Sequence, residues 1–222
     1  MILAVAGGKG GVGKTTVAYN LAAALDAVVI DADLGMADLP TARGPDLHDV
    51  LAGRATPVEA VREDAPVSIL PCGRTLAGAR AADPTELATA IERVADAYGD
   101  VVVDCPAGMR GDVGLALHAA TACLLVTTPD RAALEDAVRA RALARELDVG
   151  LAHVVLNRTD ESPPREAVER ELGAPVTSIP ESRPLARAQV QGLPVTRTAP
   201  ESTAAGRIAA IADAVRSSVA SR

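Results

Sequence analysis

The chain of 222 residues is nearly without aromatics: two Tyr, no Phe and no Trp. Its core must therefore be packed from Ala, Val, Leu and Ile, within a hydrophobic content of 49%. Cysteine is scarce as well. Cys72, Cys105 and Cys123 are odd in number, far apart and never in a Cys-x-x-Cys pair. That argues against a disulfide framework or a cluster-binding knuckle, and for small buried residues. No apolar run approaches the ~18 residues that span a bilayer. Met1-Ile2-Leu3-Ala4-Val5 lacks the basic flank of a signal peptide and leads straight into glycines, so it reads as a strand. The expectation is a soluble, intracellular chain forming one sizeable domain over residues 1–222.

Lysine is the third scarcity. Of 22 basic residues 20 are Arg, and the two lysines, Lys9 and Lys14, share one Gly-rich loop. A compact ammonium suits a phosphate in a narrow loop. The Arg bias with excess Asp resembles proteins of salt-loving archaea; a GC-rich genome would explain the arginines too. The net charge of −7 disfavours general nucleic-acid binding. Charge is also uneven. Residues 1–111 carry 9 basic and 15 acidic side chains, whereas residues 183–222 carry six Arg against Glu201 and Asp213. That basic end is a solvated helix face or a contact for an anionic partner.

Short apolar runs alternate with helical periodicity. Strands are predicted at Ile2–Ala6, Ala27–Ile30, Val67–Leu70, Val101–Asp104, Cys123–Thr127, Ala152–Leu156 and Val176–Ile179, mostly continuous apolar runs as in strands covered on both faces. Helices are predicted at Lys14–Leu25, Pro84–Tyr98, Pro129–Leu147, Arg165–Leu172 and Ala204–Val219. Residues 40–66 look like an insertion with two short helical pieces on the ligand side. The pattern predicts an α/β fold with a doubly wound, mostly parallel sheet flanked by helices, whose ligands bind at the carboxyl ends of the strands.

The strongest motif is Gly8-Lys9-Gly10-Gly11-Val12-Gly13-Lys14-Thr15-Thr16, placed after a strand and opening a helix. It matches the phosphate-binding P-loop. Glycines let backbone N–H groups turn toward phosphate oxygens, and the helix N-terminus adds its partial positive charge. Lys14 would reach the β- and γ-phosphates, Thr15 would hold Mg²⁺, and Thr16 could contact the α-phosphate. The rival is a dinucleotide fingerprint, Gly8-x-Gly10-x-x-Gly13 with Asp31 beyond it. Lys14-Thr15-Thr16 decides against it, because a pyrophosphate cofactor needs neither a loop lysine nor a metal-binding hydroxyl. Two further strands end in carboxylates, at Asp31-Ala32-Asp33 and at Asp104-Cys105-Pro106-Ala107-Gly108. Beside a P-loop, such groups suit holding Mg²⁺ through its waters or orienting an attacking water.

Taken together these segments resemble the deviant Walker A P-loop ATPases of the MinD/ParA family, on its MinD branch. Lys9 matches the signature lysine, Asp31-Ala-Asp33-Leu-Gly-Met the switch I segment and Asp104-Cys-Pro-Ala-Gly the switch II segment. Thr127-Thr128-Pro129, Leu156-Asn157-Arg158, Ile179-Pro180-Glu181 with Ala188, and Gly192-Leu193-Pro194-Val195 also match. Asp38 departs from the family, whose members usually have Asn there. The resemblance implies a slow ATPase with ATP and Mg²⁺ as ligands, dimerising around ATP. Lys9 would reach the partner's phosphates and, with Lys14 and Asp33, carry the catalysis. Asp33 would position water, and Asp31 and Asp104 would support the Mg²⁺ site. Asn157 would recognise adenine, with Arg158, Pro180 and Glu181 near the base. Asn157-Arg-Thr-Asp160 also echoes a guanine-binding pattern, so ATP and GTP both stay open.

The implied job is spatial positioning in cell division, polarity or surface-machine placement, with an activating or cargo protein as partner, in the cytoplasm or peripherally at a membrane or pole. A DNA- or cargo-partitioning ATPase is the alternative, disfavoured by net acidity and by the Pro-Ala-Gly switch. A metallocluster carrier or nucleotide-dependent ligase on the same core is a third, and paired cysteines for a cluster are absent. The C-terminal stripe Ile208, Ile211, Val215 and Val219 has no Phe, Trp or Leu anchor and reads as a core-facing helix rather than a membrane helix.

Overall fold

The computed structural model describes residues 1–35, 39, 43–108 and 111–220. Strands β1 (Ile2–Ala6), β2 (Val28–Asp31), β3 (Ile69–Leu70), β4 (Val101–Asp104), β5 (Ala122–Thr127), β6 (Leu151–Thr159) and β7 (Val176–Pro180) form one sheet. Its order is β3-β2-β4-β1-β5-β6-β7, and every neighbouring pair is parallel. The helices are α1 (Lys14–Leu25), α2 (Leu47–Leu51), α3 (Pro57–Ala60), α4 (Leu76–Ala81), α5 (Leu87–Tyr98), α6 (Gly111–His118), α7 (Arg131–Glu146), α8 (Arg165–Leu172), α9 (Arg183–Val190), α10 (Val195–Thr198) and α11 (Thr203–Ala220). The predicted fold class is the one observed. Met36 and Asp38, which belong to the matched switch I stretch or flank it, lie outside the described residues.

Alternation along each strand divides the core in two. Leu3, Val5, Val29, Val102 and Leu124 face one layer, which holds α1 and α11. Ile2, Ala4, Val28, Ile30, Val103 and Leu125 face the other, which holds α5, α6, α7 and α8. The apolar strand runs thus reflect burial on both faces. Ile208, Ile211 and Val215 of α11 are fully buried, each worth about 1.5–3 kcal/mol. The C-terminal stripe therefore belongs to the core. Among the described residues no helix is long and apolar enough to cross a membrane.

Two strands differ from expectation by more than one residue in length. β3 is shorter because it lies at the sheet edge, paired on one side with β2 and, among the described residues, bridged on the other by Arg62 alone, antiparallel to Ile69. β6 runs three residues further, to Thr159, because β7 pairs alongside it through a register shift at Arg158, whose φ of 53° is left-handed. Helices α4, α6, α9 and α10 were not predicted. They are only four to eight residues long, too short to show a helical periodicity.

The chain leaves β1 toward β2 on one side and leaves β4 toward β5 on the other, while β1 and β4 are neighbours. The carboxyl ends at this reversal form the crevice where an open α/β sheet takes its ligand.

Candidate functional site

The loop between β1 and α1 fills that crevice. Gly11 (φ 81°) and Gly13 (φ 98°) are left-handed, a conformation that a side chain resists. Packing constrains the loop from outside as well. A Cβ on Gly8 would overlap the main chain of Asp136, and one on Gly13 would overlap the Asn157 amide. α1 has Gly13 as its N-cap residue, which offers no side-chain cap, and holds no acidic residue in its first turn. Its first amide N–H groups are thus left for an anion, with the helix dipole behind them. Lys14 is only 7% exposed and curls back over the loop, its Nζ donating to the Lys9 carbonyl at 3.3 Å. These residues fit a polyphosphate.

A cleft of about 520 Å³ opens above the loop. Gly10, Gly11, Gly13, Lys14, Thr15 and Thr16 line it together with Asp33, Asp104, Arg158 and Gln189. Strand register brings Asp104 level with Val5 at the end of β1 and with Asp31 at the end of β2. Asp31 lies behind the cleft, fully buried. Its oxygens accept from Asp33 N at 3.3 Å and Leu39 N at 3.3 Å, so it shapes the loop that carries Asp33. Asp33 in turn accepts from Gly35 N at 3.2 Å. Among the described residues no three His, Cys, Asp or Glu side chains gather as a metal cluster. A Mg²⁺ taking one hydroxyl, phosphate oxygens and waters needs none.

Lys9 is exposed and pairs with Asp130 at 3.4 Å. Asp130 also caps α7, accepting from Ala133 N. The Thr128 hydroxyl, then the Ala133 amide and Lys9, hold its carboxyl below the usual range. Asn157 is buried beneath the loop and donates to the Val12 carbonyl at 2.8 Å. Pro180 ends β7 opposite Thr159 and Glu181 follows it, beside the register shift at Arg158; neither lines the cleft. Asp160 turns its own loop by accepting from Ser162 N at 3.1 Å.

Sequence reasoning missed two residues. Gln189 accepts from the Thr16 hydroxyl at 2.8 Å and reaches the cleft from α9. That helix carries a signal, since Ser182 caps it with Pro184 just inside. Asp130 follows the matched Thr127-Thr128-Pro129 directly and was legible as an N-cap. All three cysteines are buried, as expected.

A family model described as the CobQ/CobB/MinD/ParA nucleotide binding domain matches residues 3–195. An uncharacterized ATP-binding protein of Methanocaldococcus jannaschii is 32% identical over 225 aligned positions, covering 95% of this chain and 85% of that one. The Pyrococcus furiosus cell division ATPase MinD has a TM-score of 0.89 to this chain at 31% identity, covering 97% of this chain and 98% of the other. The septum site-determining protein MinD of Pyrococcus horikoshii, complexed with Mg-ADP, gives 0.89 at 30% identity, with 96% and 95% covered.

Proposed function

The chain belongs to the CobQ/CobB/MinD/ParA nucleotide-binding family, and from that premise we propose that it is a slow Mg-ATP hydrolase whose output is dimerisation, used to position other components in the cell. The observation that carries this reading is the uncapped N-terminus of α1 under a lysine-bearing glycine loop. It is a cradle for a polyphosphate, in a cleft also lined by Asp104 at the end of β4 and by Asp33 two residues past β2. Amides of residues 8–16 and the Lys14 ammonium bind the phosphates. Thr15, with Asp33 and Asp104 and with Asp31 behind them, is the set that would hold Mg²⁺ directly or through water. The ion supplies neutralisation of phosphate charge. Asp33 orients the attacking water. Asn157 and Arg158, with Pro180 and Glu181 alongside, receive adenine.

Lys9 supports the dimerisation. It is held by one exposed ion pair, and such pairs contribute little, so it is available to a γ-phosphate on a second copy. Losing that phosphate on hydrolysis removes the attraction. The 222 residues act as one cytoplasmic ATPase domain. Its partners are a second copy and an activating or cargo protein, and the similarity to cell-division MinD proteins favours septum or pole placement as the process.

Light scattering after size exclusion, with ATP, with ADP and without nucleotide, tests the reading. Wild type should dimerise only with ATP, and Lys9→Ala should stay monomeric while still binding nucleotide. Dimerisation by Lys9→Ala equal to wild type would remove Lys9 from the switch. A wild-type protein with no affinity for ATP would remove the function itself.

A further inference from the structure

His48 lies outside the phosphate cradle, yet its side chain is placed with unusual care. It is 2% exposed and sits in the first turn of α2. That turn is fixed twice: by a capping box between Asp46 and Asp49, and by Leu47 N, which donates to Pro71 O just beyond β3. The imidazole is thereby referenced to the sheet edge. From there Nε2 lies 3.0 Å from the Leu34 carbonyl oxygen. A carbonyl oxygen only accepts, so Nε2 carries a proton and donates it. Nδ1 is buried with no hydrogen-bond partner in the structure, a costly arrangement that must be held by its surroundings. Two glycines make the room. A Cβ on Gly73 would overlap Nδ1, and one on Gly78 would come within 3.2 Å of it. Cys72 Sγ packs 3.5 Å from Nε2, and burial keeps that thiol protonated and neutral.

The hydrogen bond acts on a single peptide group. Its oxygen, Leu34 O, accepts from His48, and its nitrogen, Gly35 N, donates to Asp33 Oδ1 at 3.2 Å. The plane of that peptide is rigid, so fixing the oxygen aims the N–H. The other side of Asp33 is closed by Leu34 N, which donates to Ala32 O at 3.0 Å. We propose that His48 is a positioning residue for Asp33: through the Leu34–Gly35 peptide, its Nε2–H sets the direction of the carboxylate that orients the attacking water. This rests on the hydrolase reading above. His48 is not among the residues lining the cleft, so it acts through Asp33 and not by touching the nucleotide.

The test compares His48→Leu, which keeps bulk but loses the donor, with His48→Gln, whose amide can place a donor where Nε2–H stands. His48→Leu should lower kcat by about tenfold, the effect of one lost positioning hydrogen bond, with KM for ATP unchanged. His48→Gln should recover most of the rate. In wild type, two-bond nitrogen–proton NMR should show the Nε2–H tautomer in slow exchange, a reading that needs no variant to fold. Full turnover in His48→Leu, a His48→Gln variant as slow as His48→Leu, or an Nδ1–H tautomer would each overturn the proposal. Failure of the parent reading looks different, because wild type itself would then not hydrolyse ATP.

Discussion

Asn157→Ala separates two roles that one side chain could hold. If Asn157 serves only to read the base, removing it should cost nucleotide selectivity and leave the empty protein as stable as before. The structure predicts more. The Asn157 amide donates to the Val12 carbonyl at 2.8 Å in a buried setting, Asn157 being 5% and Val12 3% exposed. Truncation leaves that carbonyl without its donor, at a cost of about 1–3 kcal/mol, and opens a small void beneath Gly13. For a chain of this size about 1 kcal/mol moves Tm by about 2–4 °C. The nucleotide-free protein should therefore melt about 4–8 °C lower for a loss near 2 kcal/mol. Asn157→Asp is the sharper variant, since it keeps the shape but turns an acceptor toward the Val12 oxygen; it should fall at least as far. Calorimetry on the empty protein measures the stability, and titration with ATP and GTP analogues measures affinity and selectivity. An unchanged Tm in both variants, with selectivity lost, would refute the claim that Asn157 supports the loop.

Three further outcomes follow from named contacts. Gly8→Ala should fold but lose nucleotide binding, because the new Cβ meets the main chain of Asp136, which cannot yield as a side-chain tip would; titration with ADP reads this, and wild-type affinity would contradict the packing argument. Burial, then the Arg165 guanidinium, holds the His153 imidazole below its usual value, so the fold prefers it neutral. Its contribution to stability is complete above the unfolded value near 6.5 and is lost as pH falls through the lower folded value. Wild type should thus lose more Tm than His153→Gln on going from about pH 7 to about pH 5, and equal losses would count against it. Burial also pushes the Cys123 thiol up to about 12 and raises Cys72, so iodoacetamide should modify neither until the protein unfolds; mass spectrometry of the labelled native protein decides.

Local chain chemistry was enough for much of this protein. The P-loop is legible because one contiguous stretch supplies the strand end, the glycines, the lysine and the helix start, and the backbone preferences of those residues do not depend on distant parts of the chain. The strands are legible because burial on both faces demands unbroken Val, Ile, Leu and Ala. The core role of Ile208, Ile211 and Val215 could be read from their spacing. Other features required the folded sheet. Asn157 meets Val12 only because β6 ends level with the loop after β1, and Gln189 meets Thr16 only because α9 packs over the head of α1. His48 reaches the peptide beside Asp33 because the end of β3 holds α2 in place. A periodicity names the face that a residue occupies, but contacts between segments far apart in the chain are set by strand order, register and the space that glycines leave, and those exist only once the chain has packed.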